Sequence, residues 1–330
     1  MGIETRPIEN RDTWLEWREE DMTASVGACL FGDIHPYATA YQQWALKSGL
    51  VKPSPMSAKL ARRAHYIEKA APEIILEDHP DWNVVPNPYY YRDPEARIGA
   101  TPDLWVRRPD KDGAGPFDVK SLGQRAFHQW RDRDTGDTAL PVWMAIQVNI
   151  QAALMGEHWG EPITWGGVAA ITIGDEGLDI EILDVPILPG LMANFRELTK
   201  EFWRRVEEKD PYPVDWGRDA ETVLDMYRDD DGSIIDLSAD EVLAEILTQR
   251  EEFKLIEQQG AVAEKGRRIL DAMIIDKLGN AAVARTKAGL IKAPTVRVKE
   301  ALRKAYTFRK ISVTGYEARE TATPATDVAE

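Results

Sequence analysis

The sequence predicts an α/β fold, and three features of its patterning carry that prediction. Helix-period stretches flank a strand-like middle, the strand runs pair around polar glycine-containing turns, and a proline-opened helix separates the pairs. The chain has 330 residues, of which 43% are hydrophobic and 29% charged, so it can bury a substantial core. At roughly 100–200 residues per domain, its length fits one large domain or two modest ones. We divide it into a core over 1–210, a mainly helical C-terminal extension with a basic end over 211–315, and a disordered tail over 316–330.

The elements follow in order. Residues 11–50 read as helix, turn, helix, broken at Thr23-Ala24-Ser25, with Tyr37, Tyr41 and Trp44 repeating at helical spacing in the second helix, Tyr37 to Leu46. A helix over Ser57 to Ala71 buries Leu60, Ala64 and Ile67 and stops at Pro72. Tyr89-Tyr90-Tyr91 is β-prone, and Leu104 to Val106 and Phe117 to Val119 flank a polar turn as a hairpin. Pro141 opens a helix that ends at Met155, before Gly156. Val168 to Ile173 and Leu178 to Leu183 form a second hairpin around Gly-Asp-Glu-Gly, and Leu191 to Val206 is another helix. Ser238 and Glu241 make a capping-box signature for a long, interrupted heptad-like pattern through Leu278, a helical hairpin or coiled coil.

Charge and cysteine content narrow the function classes. The formal net charge of −15 argues against a histone-like protein that coats DNA by bulk attraction, but it does not exclude a nuclease. The basic residues are unevenly placed: Arg285 to Lys310 holds nine of them against one acid, Glu300. That segment has two readings, a track for a phosphate backbone or a solvated helix face. One cysteine, Cys29, excludes an internal disulfide and a cysteine-based zinc cluster, and fits a reducing compartment. No apolar run approaches the ~18 residues of a membrane span, and MGIETRPIEN lacks a secretory apolar stretch, so a cytoplasmic protein without a membrane partner is expected.

The most informative stretch is Gly99-Ala100-Thr101-Pro102-Asp103, followed fifteen residues later by Asp118-Val119-Lys120. Residues two apart on a strand share a face, so Asp118 and Lys120 point together, while Phe117 and Val119 supply the apolar side. A hairpin brings Asp103 to the same end of the sheet. Paired hard oxygen ligands suit Mg²⁺, with Mn²⁺ as a substitute, and the lysine can polarise a scissile phosphate or orient water. Alone, an Asp-x-Lys tripeptide is ordinarily a solvated strand edge.

These residues resemble the PD-(D/E)XK nucleases, and within them the YqaJ-like viral recombinase exonucleases of the phage lambda type. Trp14, Arg18 and Thr23-Ala24-Ser25 resemble the N-terminal element, and Ala64-His65-Tyr66-Ile67-Glu68 the helical acidic element. Thr101-Pro102-Asp103, Asp118-Val119-Lys120 and Gln147 in Ala145 to Gln151 complete five motifs in order over residues 10–205. The departures are Ala64 where the family usually has glycine, and Asp118 where glutamate is commoner.

The resemblance implies a central mixed sheet flanked by helices and a Mg²⁺-dependent deoxyribonuclease. That enzyme would degrade one strand of linear duplex DNA 5′→3′ and leave a 3′ overhang for recombination by single-strand annealing. Glu68, Asp103 and Asp118 would ligate metal, with the Val119 carbonyl as a further oxygen. Lys120 would act near the attacking water, and Gln147 would hold the lysine, the water or the scissile strand. Arg18 and Ser25 would bind a terminal 5′-phosphate. Duplex DNA ends and a phage annealing protein are the implied partners, a trimeric ring the implied assembly, and the bacterial cytoplasm the implied location.

Two further readings stand beside this one: a structure-specific endonuclease on the same core, and a non-catalytic adaptor that binds DNA ends. Each residue also has a plainer role. Glu68 can be a solvated helix residue, Arg18 a surface ion-pair partner worth ~0–1 kcal/mol, Ser25 a helix cap, and Gln151 a contact to solvent or a neighbouring helix. Trp130, in the loop Gln124 to Asp137, is a candidate DNA contact, and the histidines stay unassigned.

Overall fold

A computed structural model of the chain describes residues 2–53, 57–132, 134–174 and 177–227, the short strands 283–286 and 289–292, and the helical positions 242 and 260. The first compact unit is Met1–Tyr227, so the division expected at 210 falls inside it. Residues just past 210 are tied back to the N-terminal part. Buried Asp219 accepts a 2.6 Å hydrogen bond from the Thr39 hydroxyl, and the Arg218 guanidinium donates to the Ala38 carbonyl at 3.1 Å.

Strand β1 (Glu4–Pro7) leads into helix α1 (Arg11–Glu20), which is capped where the Asn10 side chain accepts from the Thr13 N–H at 2.9 Å. Next come β2 (Met22–Thr23), a single helical turn α2 (Ala24–Gly27) continued by a 3-10 turn, and α3 (Ala40–Lys47). Then follow α4 (Ala58–Asp78), β3 (Asn83–Pro86), β4 (Tyr89–Asp93), β5 (Ile98–Ala100), β6 (Leu104–Arg107) and β7 (Ala114–Gly123). The short α5 (Gln124–Phe127) precedes α6 (Val142–Trp159), and β8 (Trp165–Gly174), β9 (Gly177–Pro186), α7 (Leu191–Glu208) and α8 (Ala220–Met226) complete the unit.

The result is α/β, with two mixed sheets. One has the order β1-β4-β5-β2 and the other β3-β6-β7-β8-β9. In the second sheet β7 and β8 are parallel while the other neighbours are antiparallel. A parallel pair needs a crossover, which α6 supplies. The sheet is covered on both sides, which is why β8 is buried from Trp165 to Thr172. On one face Ala71 and Ile75 of α4 pack with Phe117, Ala169 and Ile171. On the other, Met144 and Val148 of α6 pack with Val168 and Val185. A Cβ on Gly166 would lie 2.5 Å from Val148, so glycine sets how closely α6 approaches the sheet.

Several sequence expectations are corrected. The helix expected to stop at Pro72 runs on to Asp78. Proline removes one hydrogen bond, a loss that buried Ala71 and Ile75 offset by anchoring the helix on the sheet. The missing donor is the one that would have reached the carbonyl of Glu68. The buried face is correspondingly shifted: Leu60 is 58% exposed, and Ala64 is also exposed. The helix expected from Tyr37 starts at Ala40, because Thr39 and Gln42 form a reciprocal capping box. The helix after Pro141 passes through Gly156 and ends at Gly160, which takes the left-handed conformation of a C-terminal cap. Four short strands, β1, β2, β3 and β5, have no counterpart in the sequence reading.

In the second unit, Val283–Thr286 and Gly289–Lys292 pair antiparallel, inside the extension expected to be mainly helical. The heptad-like pattern from Ser238 to Leu278, most of the basic segment and the tail lie outside the described residues. Among the described residues no helix is long and apolar enough to cross a membrane.

Candidate active site

The site forms where two strands part. Strands β6 and β7 are paired from Arg107↔Ala114 to Leu104↔Phe117, whereas β7 continues beside β8 alone from Asp118 to Gly123. The edge of β7 that faced β6 therefore opens at Asp118. Asp103, just before β6, sits at that opening. Its backbone N–H donates to the Phe117 carbonyl at 3.0 Å, and its carboxylate accepts from the Val119 N–H at 2.6 Å. The carboxylate thus replaces the next rung of the ladder. Strand geometry puts the Val119 carbonyl on the same open edge as its N–H.

Asp118 and Lys120 share a face, as their spacing requires, and form an ion pair through Asp118 Oδ2 and Lys120 Nζ. Asp118 is buried at 2% exposure. Its other oxygen, Oδ1, accepts from Gln147 Nε2 at 2.6 Å and Gln151 Nε2 at 3.1 Å. The two amides lie one turn apart on α6, so the same helix face presents both. Gln151 is accordingly neither solvated nor a helix–helix contact: it is 1% exposed and holds Asp118. Oδ2 has no hydrogen-bond partner apart from the lysine ion pair, and the Oε1 atoms of both glutamines are buried without one.

Glu68 comes from α4 and is solvent-accessible, close enough to feel the Asp118, Lys120, His65 and Arg11 charges. The side chain is exposed as a whole, but partial desolvation of its carboxyl group, and then the Asp118 charge, raise its pKa. Asp103 is raised well above the usual carboxylate range by burial, then by Asp118 and Glu68; Lys120 and the Val119 N–H only partly offset this. Burial alone would lower the Lys120 pKa, but Asp118, Asp103 and Glu68 outweigh it, and the pKa is raised. The lysine is therefore a charge and a donor near neutral pH, not a proton acceptor.

Arg63, from the same helix as Glu68, ties α4 to β7. Its Nε donates to the Ser121 hydroxyl at 2.9 Å, and its Nη2 reaches the Leu122 carbonyl. The sequence reading missed Arg63 and the role of Gln151. The signal for Gln151 was its four-residue offset from Gln147; Arg63 carried none.

The second predicted pair lies beside the first. Arg18 donates to the Ser25 hydroxyl at 2.9 Å, and that hydroxyl is 3.1 Å from Thr23 Oγ1. Ser25 is inside α2, so it is not the cap of that turn. Trp14 fixes α1 by donating to Thr101 Oγ1 at 3.0 Å, and the Arg18 guanidinium lies 4.5 Å from the Trp14 ring centroid. Burial lowers the Arg18 pKa, while the nearby Tyr90 and Asp118 raise it. Trp130, proposed as a DNA contact, is half-buried against the packing of α6 on β8 and β9, with its ring 5.6 Å from Phe127.

Asp103, Asp118 and Lys120 thus meet at one opening, with Glu68 in electrostatic reach and Arg18–Ser25 alongside. In kind, the donors fit a hard divalent cation: all are oxygens, and Asp118 Oδ2 is buried with only an ammonium to balance it. Among the described residues, no three His, Cys, Asp or Glu side chains are already drawn together at coordination distance.

No family model matches the chain, and no curated protein does. Among solved structures, it is similar to the alkaline exonuclease LHK-Exo of Laribacter hongkongensis, at 17% identity and a TM-score of 0.43, covering 60% of this chain and 94% of that one. It is also similar to a phage-related exonuclease of Haemophilus somnus 129PT, at 12% identity and a TM-score of 0.42, covering 57% of this chain and 94% of that one.

Proposed function

We propose that the chain is a Mg²⁺-dependent DNA exonuclease with a PD-(D/E)XK core, acting 5′→3′ on linear duplex ends to leave a 3′ overhang. The observation that carries this reading is the juxtaposition of the Asp103–Asp118–Lys120 opening with the Arg18–Ser25 pair. The first suits hydrolysis of a phosphodiester, and the second, close enough for Arg18 to feel the Asp118 charge, suits a terminal phosphate.

Asp103, Asp118, Glu68 and the Val119 carbonyl would hold the ion, with Mn²⁺ as a substitute. When bound, the ion acidifies water and neutralises charge developing at phosphorus. The chain's own groups do the positioning. Gln147 and Gln151 fix Asp118 through Oδ1, so Oδ2, paired only with Lys120, would be the oxygen offered to the ion. The Lys120 ammonium donates to the attacking water or to a non-bridging phosphate oxygen. Arg18 and Ser25 anchor the 5′-phosphate and set which bond lies at the ion. A phage single-strand annealing protein would take up the 3′ overhang, and a trimeric ring would favour processive action.

Linear duplexes labelled at the 5′ or the 3′ end, incubated beside a covalently closed circle, test the reading. In Mg²⁺ the 5′ label is released first as mononucleotide, the 3′ label persists, and the circle stays intact. Cutting of the circle would favour a structure-specific endonuclease. The absence of nucleotide release would leave a non-catalytic adaptor for DNA ends.

A further inference from the structure

An aromatic cluster beside Lys120 has no part in the hydrolytic machinery described above. Trp143 is the second residue of α6, and its ring centroid lies 5.9 Å from Lys120 Nζ. Two rings from the segment before α3 stand against it. His35 is 5.0 Å from Trp143 at an interplanar angle of 61°, and Tyr37 is 6.2 Å away at 83°. Tyr37 also meets His35 edge-on, at 6.2 Å and 77°.

The cluster is rigid underneath and open above. His35 is 5% exposed and held at both nitrogens. Its Nδ1 accepts from the Tyr37 backbone N–H at 3.2 Å, so the other nitrogen carries the proton, and Nε2 donates to the Ser25 carbonyl at 3.1 Å. The same histidine therefore joins the aromatic cluster to the residue assigned to the terminal phosphate. Tyr37, in contrast, is 82% exposed. Its ring meets His35 and Trp143 nearly at right angles and is otherwise open to solvent. Burial does not explain a tyrosine placed this way, on a fixed support whose Trp143 ring also meets the Lys120 ammonium.

We propose that Tyr37, supported by Trp143 and His35, forms a stacking site for one unpaired nucleobase of the strand whose phosphate lies at Lys120. Every base has a π-face, so the site takes any of the four, and its charge environment fits the occupant: Lys120 and Arg18 flank the path that the phosphates would follow. The assignment rests on the nuclease reading and adds to it a contact to a base, where the other assigned groups meet phosphate and water.

The test measures binding of a short 5′-phosphorylated single-stranded oligodeoxynucleotide by fluorescence anisotropy, in chelator so that hydrolysis does not run. Tyr37→Ala is expected to weaken binding on the order of ten- to a hundred-fold, the loss typical of one base–aromatic stack. Tyr37→Phe should bind as the wild type does. The penalty of Tyr37→Ala should vanish when a single abasic nucleotide replaces the stacked base, and persist when it is placed elsewhere. Tyr37 is exposed, so an unchanged thermal midpoint is expected for both variants. Wild-type binding by Tyr37→Ala, or a penalty indifferent to every abasic position, overturns the stacking site while leaving the nuclease reading intact. A wild-type protein that neither binds the oligonucleotide nor releases nucleotides in Mg²⁺ overturns both.

Discussion

Replacing Gln151 by methionine separates positioning from packing at Asp118. Methionine keeps the length and volume of the side chain but cannot donate to Oδ1. A hydrogen bond to a charged acceptor is worth ~1.5–3 kcal/mol, and ~1.4 kcal/mol is tenfold in rate, so the loss lies between ~10- and ~150-fold. The Gln151 bond is the longer of the two, 3.1 Å against 2.6 Å for Gln147, which places Gln151→Met near tenfold in kcat and Gln147→Met higher. Stability should change little, because each substitution also removes a buried Oε1 that has no partner. Either remaining amide still anchors the same oxygen, so the double variant should lose more than the product of the single losses. Steady-state nucleotide release from a linear duplex, run beside thermal unfolding, reads both quantities. A Gln151→Met protein with wild-type kcat and a lowered thermal midpoint would refute the reasoning, since that is the pattern of a residue that only packs.

Lys120→Ala should abolish cleavage in the same assay while keeping the wild-type far-ultraviolet circular dichroism, because the ammonium sits at the open edge and not in the apolar layers. Arg18→Ala should slow release from 5′-phosphorylated ends more than from 5′-hydroxyl ends; competition between the two substrates measures the ratio. Gly99→Val should destabilise the fold by ~1–3 kcal/mol in urea unfolding, because its Cβ would overlap the Tyr90 hydroxyl that donates to buried Asp21 at 3.0 Å. Lys47 gives a pH signature. Burial, then the Arg18 charge, push its pKa down to about 8, so the unfolded chain holds its proton more tightly than the fold does. Wild-type stability should therefore rise relative to Lys47→Met as the pH climbs from about 8 towards the unfolded value of ~10.4, and the difference should be flat below that window.

The parts legible in the sequence are those where local pattern and tertiary demand agree. Asp118 and Lys120 share a face because strands have a period of two, and Phe117 turns inward for the same reason. The length of β7 was not legible: the strand grows to ten residues because β8 pairs with it in parallel, a partner some fifty positions away. Pro72 reads locally as a stop, yet the packing of Ala71 and Ile75 carries α4 through it. Tyr37 fits the helical spacing of Tyr41 and Trp44, but the Thr39 cap leaves it outside the helix and free to join the cluster at Trp143. Short strands such as β2 and β5, two and three residues long, have too few positions to show a period at all.

The central claim is geometric: Glu68, Asp103, Asp118 and the Val119 carbonyl share one divalent-ion pocket with Lys120 at its rim. Anomalous scattering from crystals equilibrated with Mn²⁺ tests it most directly. The account predicts a peak at the opening between β6 and β7, within bonding distance of Asp103 and Asp118, and its loss in Asp118→Ala. A peak elsewhere on the molecule, or an empty opening at saturating Mn²⁺, would contradict it.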